Sequence, residues 1–144
     1  MPLFWACRNA GGRALLVGGS VRDALVGVLG KDLDIEVHGL ELGRLLRLLR
    51  PLGPVNEVGR SFGVLKLRMG GGELDVSVPR RDRQGSSGHR GIEATADPFL
   101  GTTEAARRRD LTINAIAWDP LEQEFIDPFG GRRDLEARLL RAVD

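Results

Sequence analysis

The sequence is poor in several things, and each shortage narrows what the chain can be. It has one cysteine, Cys7, so neither an internal disulfide nor a cysteine-rich zinc site can form within it. No apolar run approaches the roughly 20 residues that a membrane-spanning helix needs. The opening Met1-Pro2-Leu3-Phe4-Trp5-Ala6-Cys7-Arg8 lacks the ordered charged, apolar and cleavage regions of a signal peptide. Together these shortages point to a soluble cytoplasmic domain. An excess of one charge sign is missing too: 21 Lys+Arg face 20 Asp+Glu, for a net charge of +1. Domains that hold nucleic acid by charge alone are usually strongly basic, which sets that class aside. Lysine itself is scarce. Only Lys31 and Lys66 are lysines, and the other basic residues are arginines, whose planar fork suits phosphate oxygens. A GC-rich genome would produce the same bias. The sequence holds no internal repeat and no low-complexity tract.

What is present suits one compact domain. A chain of 144 residues buries roughly 68–70% of its unfolded surface, and 42% hydrophobic residues can supply the core. Twenty glycines, about twice the usual share, imply tight turns or close backbone approaches. Residues 14–17 read as a buried strand stopped by Gly18-Gly19. Ser20 and Asp23 resemble a capping box for a helix with Val21, Leu25 and Val28 on one face, closed by Gly30. Asp32-Leu33-Asp34-Ile35-Glu36-Val37 alternates strictly, with Leu33, Ile35 and Val37 on one strand face and the acids on the other.

Leu42, Leu45, Leu46 and Leu49 recur at helical spacing, and Pro51 ends that helix. Residues 63–69 and 73–78 read as a hairpin around Gly70-Gly71-Gly72. Residues 80–101, rich in Arg, Gly and Ser, read as a mobile loop. From Thr102 to about Ala117 the pattern is helical, residues 124–126 suit a short strand, and Asp127 to Gly131 a turn. The order predicts an α+β domain, a small mixed sheet with helices packed mainly on one face.

The chemistry concentrates in Gly18-Gly19-Ser20-Val21-Arg22-Asp23 and Lys31-Asp32-Leu33-Asp34. The glycines would let a phosphate approach backbone N–H groups at a helix start, and Arg22 could add a bidentate contact. Asp32 and Asp34 project from one side of a strand, about 7 Å apart at Cα by the strand rise. Two hard oxygen ligands suit Mg²⁺. Asp75, on the polar face of the hairpin strand, is the natural third carboxylate. Two metals sharing three carboxylates could activate a hydroxyl and stabilise a leaving pyrophosphate. Each piece alone also has a plain structural explanation, as a Gly-Gly turn or a solvated sheet face. His38 and His89 have no evident metal or nucleophile partner, and Trp118 and Phe125 suit a core better than a stacking platform.

These segments, with Arg108-Arg109-Asp110-Leu111-Thr112-Ile113-Asn114-Ala115 and Asp127-Pro128-Phe129-Gly130-Gly131 followed by Asp134-Leu135, resemble a known family from about Leu15 to Val143. The family is the class II tRNA nucleotidyltransferases (CCA-adding enzymes) with their bacterial poly(A) polymerase relatives, in the polymerase β-like superfamily. The resemblance implies that Asp32, Asp34 and Asp75 are catalytic and bind metal, two Mg²⁺ ions, with Glu73 a minor rival to Asp75. It implies that Gly18, Gly19, Arg22, Arg109, Asp110 and Asn114 bind the nucleotide. It further implies ATP and CTP as substrates, an RNA 3′ end, foremost tRNA, as acceptor, and a role for the loop 80–101 in adding the final A.

The match is to a catalytic head only, which residues 1–144 are expected to form, while the neck that selects C or A, the body and the tail are expected to be absent. From Arg80 to Arg109 seven arginines face four acids, a local excess that would suit a primer terminus. Transfer to a protein or small molecule, and a head that binds nucleotide without turnover, are the alternatives.

Overall fold

The computed structural model describes residues 2–27, 32–83 and 93–143. Val28, Gly30, Lys31 and His89, and segment 84–92 of the expected loop, lie outside the described residues. The elements in chain order are α1 (Pro2–Asn9), β1 (Arg13–Leu16), α2 (Gly19–Leu25), β2 (Leu33–His38), α3 (Leu42–Leu49), β3 (Val55–Asn56), β4 (Val64–Met69) and β5 (Gly72–Ser77). They continue with β6 (Arg80–Arg83), β7 (Glu93–Ala96), α4 (Thr102–Arg107), β8 (Ala117–Asp119), β9 (Glu124–Ile126) and α5 (Gly131–Glu136). Among the described residues, seven strands form one sheet in the order β3-β4-β5-β2-β1-β8-β9, and β6 pairs with β7 as a separate ribbon.

Register divides the sheet into two unlike faces. Residues directly opposite one another share a face. Ala14 faces Val37 and Leu16 faces Ile35 across β1–β2, and Leu33 and Ile35 stand beside Leu74 and Val76 across β2–β5. Leu65 and Leu67 extend the apolar face through β4. Helices α1 and α3 close over it with Leu3, Phe4, Cys7, Leu45, Leu46 and Leu49. The other face carries Asp34, Glu36 and His38 beside Asp75 and Ser77, with Lys66 across from Asp75. One face is core and the other holds the polar chemistry.

Several expectations need correction. Helix α1 was not foreseen: Leu3, Phe4 and Cys7 recur at one-turn spacing and are buried, which is what folds so short a segment. The capping box does not form. Helix α2 starts at Gly19, Ser20 lies inside it, and the Ser20 hydroxyl donates to the Val17 carbonyl at 2.9 Å. Among the described residues of its expected apolar stripe, Val21 is buried and Leu25 is exposed. The loop expected at 80–101 carries the β6–β7 ribbon, with Arg81 opposite Thr95. The helix expected from Thr102 to Ala117 stops at Arg107. The chain turns extended at Leu111 and forms a single 3₁₀ turn over Thr112–Asn114 before β8. The cause is tertiary: the Thr112 hydroxyl donates to the buried Asp134 carboxylate at 2.6 Å, and the Thr112 N–H donates to the Arg141 carbonyl at 2.9 Å.

No helix among the described residues is long and apolar enough to cross a membrane. Cys7 is fully buried, and burial pushes its thiol up to about 11. At pH 8 the thiolate fraction is then about one in a thousand. Thiol labelling of the native chain at pH 8 is expected to be negligible over minutes and stoichiometric in denaturant. Prompt native labelling would contradict the packing of α1.

Candidate active site

The site lies where the Gly18 turn after β1, the N-terminal end of β2 and the middle of β5 meet. Asp34 and Asp75 are direct partners in the parallel β2–β5 pairing, so two carboxylates emerge side by side from one sheet face. Asp32 immediately precedes β2 and is exposed. Burial raises the Asp34 carboxyl above its ordinary range, as does the Asp75 charge; Arg109 opposes the rise, Asp32 adds to it, and Lys66 opposes it. Lys66, across the β4–β5 hairpin, reaches Asp75 at 3.3 Å and Glu73 at 3.4 Å. The Asp75 hydrogen bond and charge hold the lysine more strongly protonated, with Glu73 adding to the effect.

Gly18 brings the backbone to this edge. Its φ of +68° is costly for any residue with a side chain. A Cβ there would sit 3.4 Å from the Asp34 carboxylate and 3.8 Å from the Arg109 guanidinium. The bare backbone therefore leaves open a space bounded by an acid and a base. Gly19 lies under Arg22, whose guanidinium would be 3.1 Å from a Cβ. Arg22 in turn donates to the Asn114 side-chain oxygen at 2.9 Å, and Asn114 donates to Asp110 at 3.4 Å. The Asn114 hydrogen bond, and after it the Leu111 N–H, hold the Asp110 carboxyl below its ordinary range.

All nine residues singled out in the sequence are therefore described, and they fall into two linked groups. Gly18, Asp34, Asp75 and Arg109 form one. Gly19, Arg22, Asp110 and Asn114 form the other. Asp32 is tied to the first group by its charge on Asp34. As a metal-binding set the three carboxylates have the right chemistry, being hard oxygen donors on adjacent strands. Among the described residues, however, no three His, Cys, Asp or Glu side chains are already gathered closely enough to hold an ion. Asp75 is engaged by Lys66 instead.

Sequence reasoning missed the supports. Lys66 was noted only as a rare lysine, although the hairpin's turn places it opposite Asp75. His38 is buried with Nδ1 2.9 Å from the Leu100 carbonyl and Nε2 2.8 Å from Glu36. Below Asn114, Asp127 accepts the Gly131 and Arg132 N–H groups at 2.7 and 3.0 Å, starting α5. Asp134 then holds Thr112 and Arg141. Trp118 and Phe125 are cross-strand partners with ring centroids 4.6 Å apart, half-buried rather than core. Arg132 lies 4.1 Å over the Phe125 ring, an aromatic–arginine contact the sequence did not reveal.

The fold that carries this arrangement also occurs in solved CCA-adding enzymes. The Bacillus stearothermophilus CCA-adding enzyme in complex with CTP superposes with a TM-score of 0.79 at 30% identity, over 99% of this chain and 32% of that one. A tRNA nucleotidyltransferase complexed with a primer tRNA and an incoming ATP analog gives 0.78 at 33% identity, over 99% and 39%. The family model for the poly(A) polymerase head domain matches residues 14–141. The multifunctional CCA protein of Xanthomonas oryzae pv. oryzae is 43% identical over 129 residues, 89% of this chain. That of Methylococcus capsulatus is 42% identical over 132 residues. This chain belongs to the poly(A) polymerase head-domain family. It spans about 30% of the length of those curated relatives.

Two outcomes follow from this geometry. Because folding raises the Asp34 pKa, ionised Asp34 opposes folding: the penalty is absent below the unfolded value and is complete once pH has risen through the folded one. In metal-free buffer Asp34→Asn is expected to raise Tm at pH 7, a gain that vanishes near pH 3. Lower stability at pH 7 would contradict the charge crowding. A Cβ on Gly131 would run into the Thr112 carbonyl and stand 2.7 Å from Ile116. Gly131→Ala is expected to cost about 1–3 kcal/mol in denaturant unfolding. Gly43→Ala, with open space around it, should cost nothing.

Proposed function

We propose that this chain is the catalytic head of a cytoplasmic nucleotidyltransferase that adds C and/or A from CTP and ATP to the 3′ end of tRNA, releasing pyrophosphate. The observation that carries the reading is the in-register Asp34–Asp75 pair bordered by Gly18 and Arg109. The family membership and the printed names of the relatives, CCA proteins and CCA-adding enzymes, support it. The single buried cysteine accords with a reducing compartment.

The reaction joins the RNA 3′ oxygen to the α-phosphorus and breaks the bond to the β-phosphate oxygen. Asp32, Asp34 and Asp75 would hold Mg²⁺, a pair of ions by the count of carboxylates, and Asp75 would exchange Lys66 for it. A Mg²⁺ ion held there would neutralise phosphate charge and lower the pKa of the attacking hydroxyl. The Gly18 backbone lets a phosphate approach without a side chain in the way. Arg109, fixed beside Asp34, stabilises negative charge that develops on the phosphoryl oxygens. Arg22 and Asn114, already hydrogen-bonded to each other, and Asp110 present donors and an acceptor to the triphosphate and sugar.

The test is incorporation of α-labelled CTP or ATP into tRNA lacking its 3′ CCA, with a protein acceptor in a parallel arm. Mg²⁺-dependent labelling of the RNA alone is expected. Asp34→Ala and Asp75→Ala should each reduce it by at least about 10²–10³-fold, the scale of losing a charge-stabilising group in a transition state. Labelling of the protein acceptor, or labelling indifferent to both substitutions, would overturn the reading.

A further inference from the structure

Asp34, Glu36 and His38 follow one another along the polar face of β2, running from the open edge toward the interior. The Glu36 and His38 side chains are only 13% and 10% exposed. The His38 ring sits between two oxygens, with Nδ1 2.9 Å from the Leu100 carbonyl oxygen and Nε2 2.8 Å from Glu36 Oε1. It ties β2 to the segment that enters α4. The second carboxylate oxygen of Glu36 is thereby aimed at Arg109, with Oε2 3.9 Å from Nη2. Arg109 itself follows α4 directly, its N–H donating to the Ala106 carbonyl at 3.0 Å. Glu36, His38 and Arg109 line one pocket with Leu15, Val17 and Ala105, so the ion pair has an apolar surround.

Arg109 therefore stands between two carboxylates, Asp34 on the open side and Glu36 on the buried side. An arginine offered only Asp34 would collapse onto it and occupy the group that must stay available. Glu36 supplies a competing anion on the far side. We infer that Glu36, clamped by His38, is a positioning residue that holds the Arg109 guanidinium back from Asp34 and aimed at the space beside Gly18 where a nucleotide phosphate binds. The inference rests on the proposed nucleotide site and adds to it the two residues that pre-organise its arginine. Pre-organisation is expected to show as affinity, because less ordering remains to be done on binding.

The sign of the effect separates positioning from plain electrostatics. Glu36 is an anion near an anionic ligand, so if charge were its only role, Glu36→Gln would tighten nucleotide binding. A positioning role predicts the opposite. Titration calorimetry of the 144-residue chain with ATP in Mg²⁺ buffer should show binding weakened about tenfold in Glu36→Gln, within the range for coupled neighbours. Weakening in the same direction is expected in His38→Gln, which can no longer span both oxygens.

Arg109→Ala should weaken binding at least as much, and Glu36→Gln added to Arg109→Ala should weaken it no further. Unchanged or tighter binding in Glu36→Gln, or losses that simply add in the double variant, overturns the positioning role. Unchanged binding in Arg109→Ala overturns instead the nucleotide reading beneath it. Thermal melts confirm that each variant folds. If Glu36→Gln does not, Glu36→Asp, which keeps the charge but withdraws it by one methylene, is read by the same criteria.

Discussion

Everything at the site depends on the parallel pairing of β2 with β5 at a register that sets Asp34 beside Asp75. Parallel neighbours need a long crossover, and here it is made by α3, β3 and β4, which also bring Lys66 across from Asp75. A slip of one residue would turn both acids into the core and the apolar residues out. Ile35, Val37, Leu74 and Val76 forbid that slip, because α1 and α3 bury them on the other face. The core thus specifies the placement of the carboxylates. Two acids side by side carry a cost, visible in the raised pKa of Asp34. Lys66 and Arg109 offset it from opposite sides, so the resting site is already a balance of charges into which a cation and an anion can be exchanged.

A second frame fixes the arginine side. Asp127 starts α5, Gly131 lets that helix lie directly against the Thr112 turn, and Asp134 binds Thr112 from below. The 3₁₀ turn so held presents Asn114 to Arg22 of α2 and leaves Arg109 at the end of α4. The two frames meet at Gly18, where the absence of a side chain lets acid, base and backbone share one small space. Sequence segments far apart along the chain converge there because each is anchored to the sheet or to α5.

The strands were the most legible part of the sequence. Strict alternation at Asp32–Val37 and the glycine turn at 70–72 gave β2 and the β4–β5 hairpin within a residue or so, and with them Asp34 and Asp75. The resemblance implied roles for Gly18, Arg22, Arg109 and Asn114, and the fold brings Gly18 and Arg109 beside Asp34 and joins Arg22 to Asn114. What local pattern could not carry was tertiary. The helical periodicity after Thr102 is real, yet the Thr112–Asp134 bond ends the helix at Arg107 and makes a turn instead. The Ser20 hydroxyl satisfies Val17 rather than a helix start. His38 looks solitary along the chain, since its partner Leu100 is 62 positions away. Lys66 was within reach of a register argument, because the hairpin turn alone decides what faces Asp75.

The central claim is that carboxylates from two strands and an open glycine turn form a single cation-dependent site. Mn²⁺, which prefers the same oxygen donors as Mg²⁺, reports its own position by broadening nearby amide signals. Titrating substoichiometric Mn²⁺ into ¹⁵N-labelled protein should broaden Gly18, Gly19, Asp32, Leu33, Asp34 and Asp75 first. The acidic groups at the far end of the sheet, Asp119, Glu122 and Glu124, should stay sharp, since Arg13 and Arg8 already pair with them. Broadening centred on that far end, or spread evenly over the acidic residues, would contradict the account.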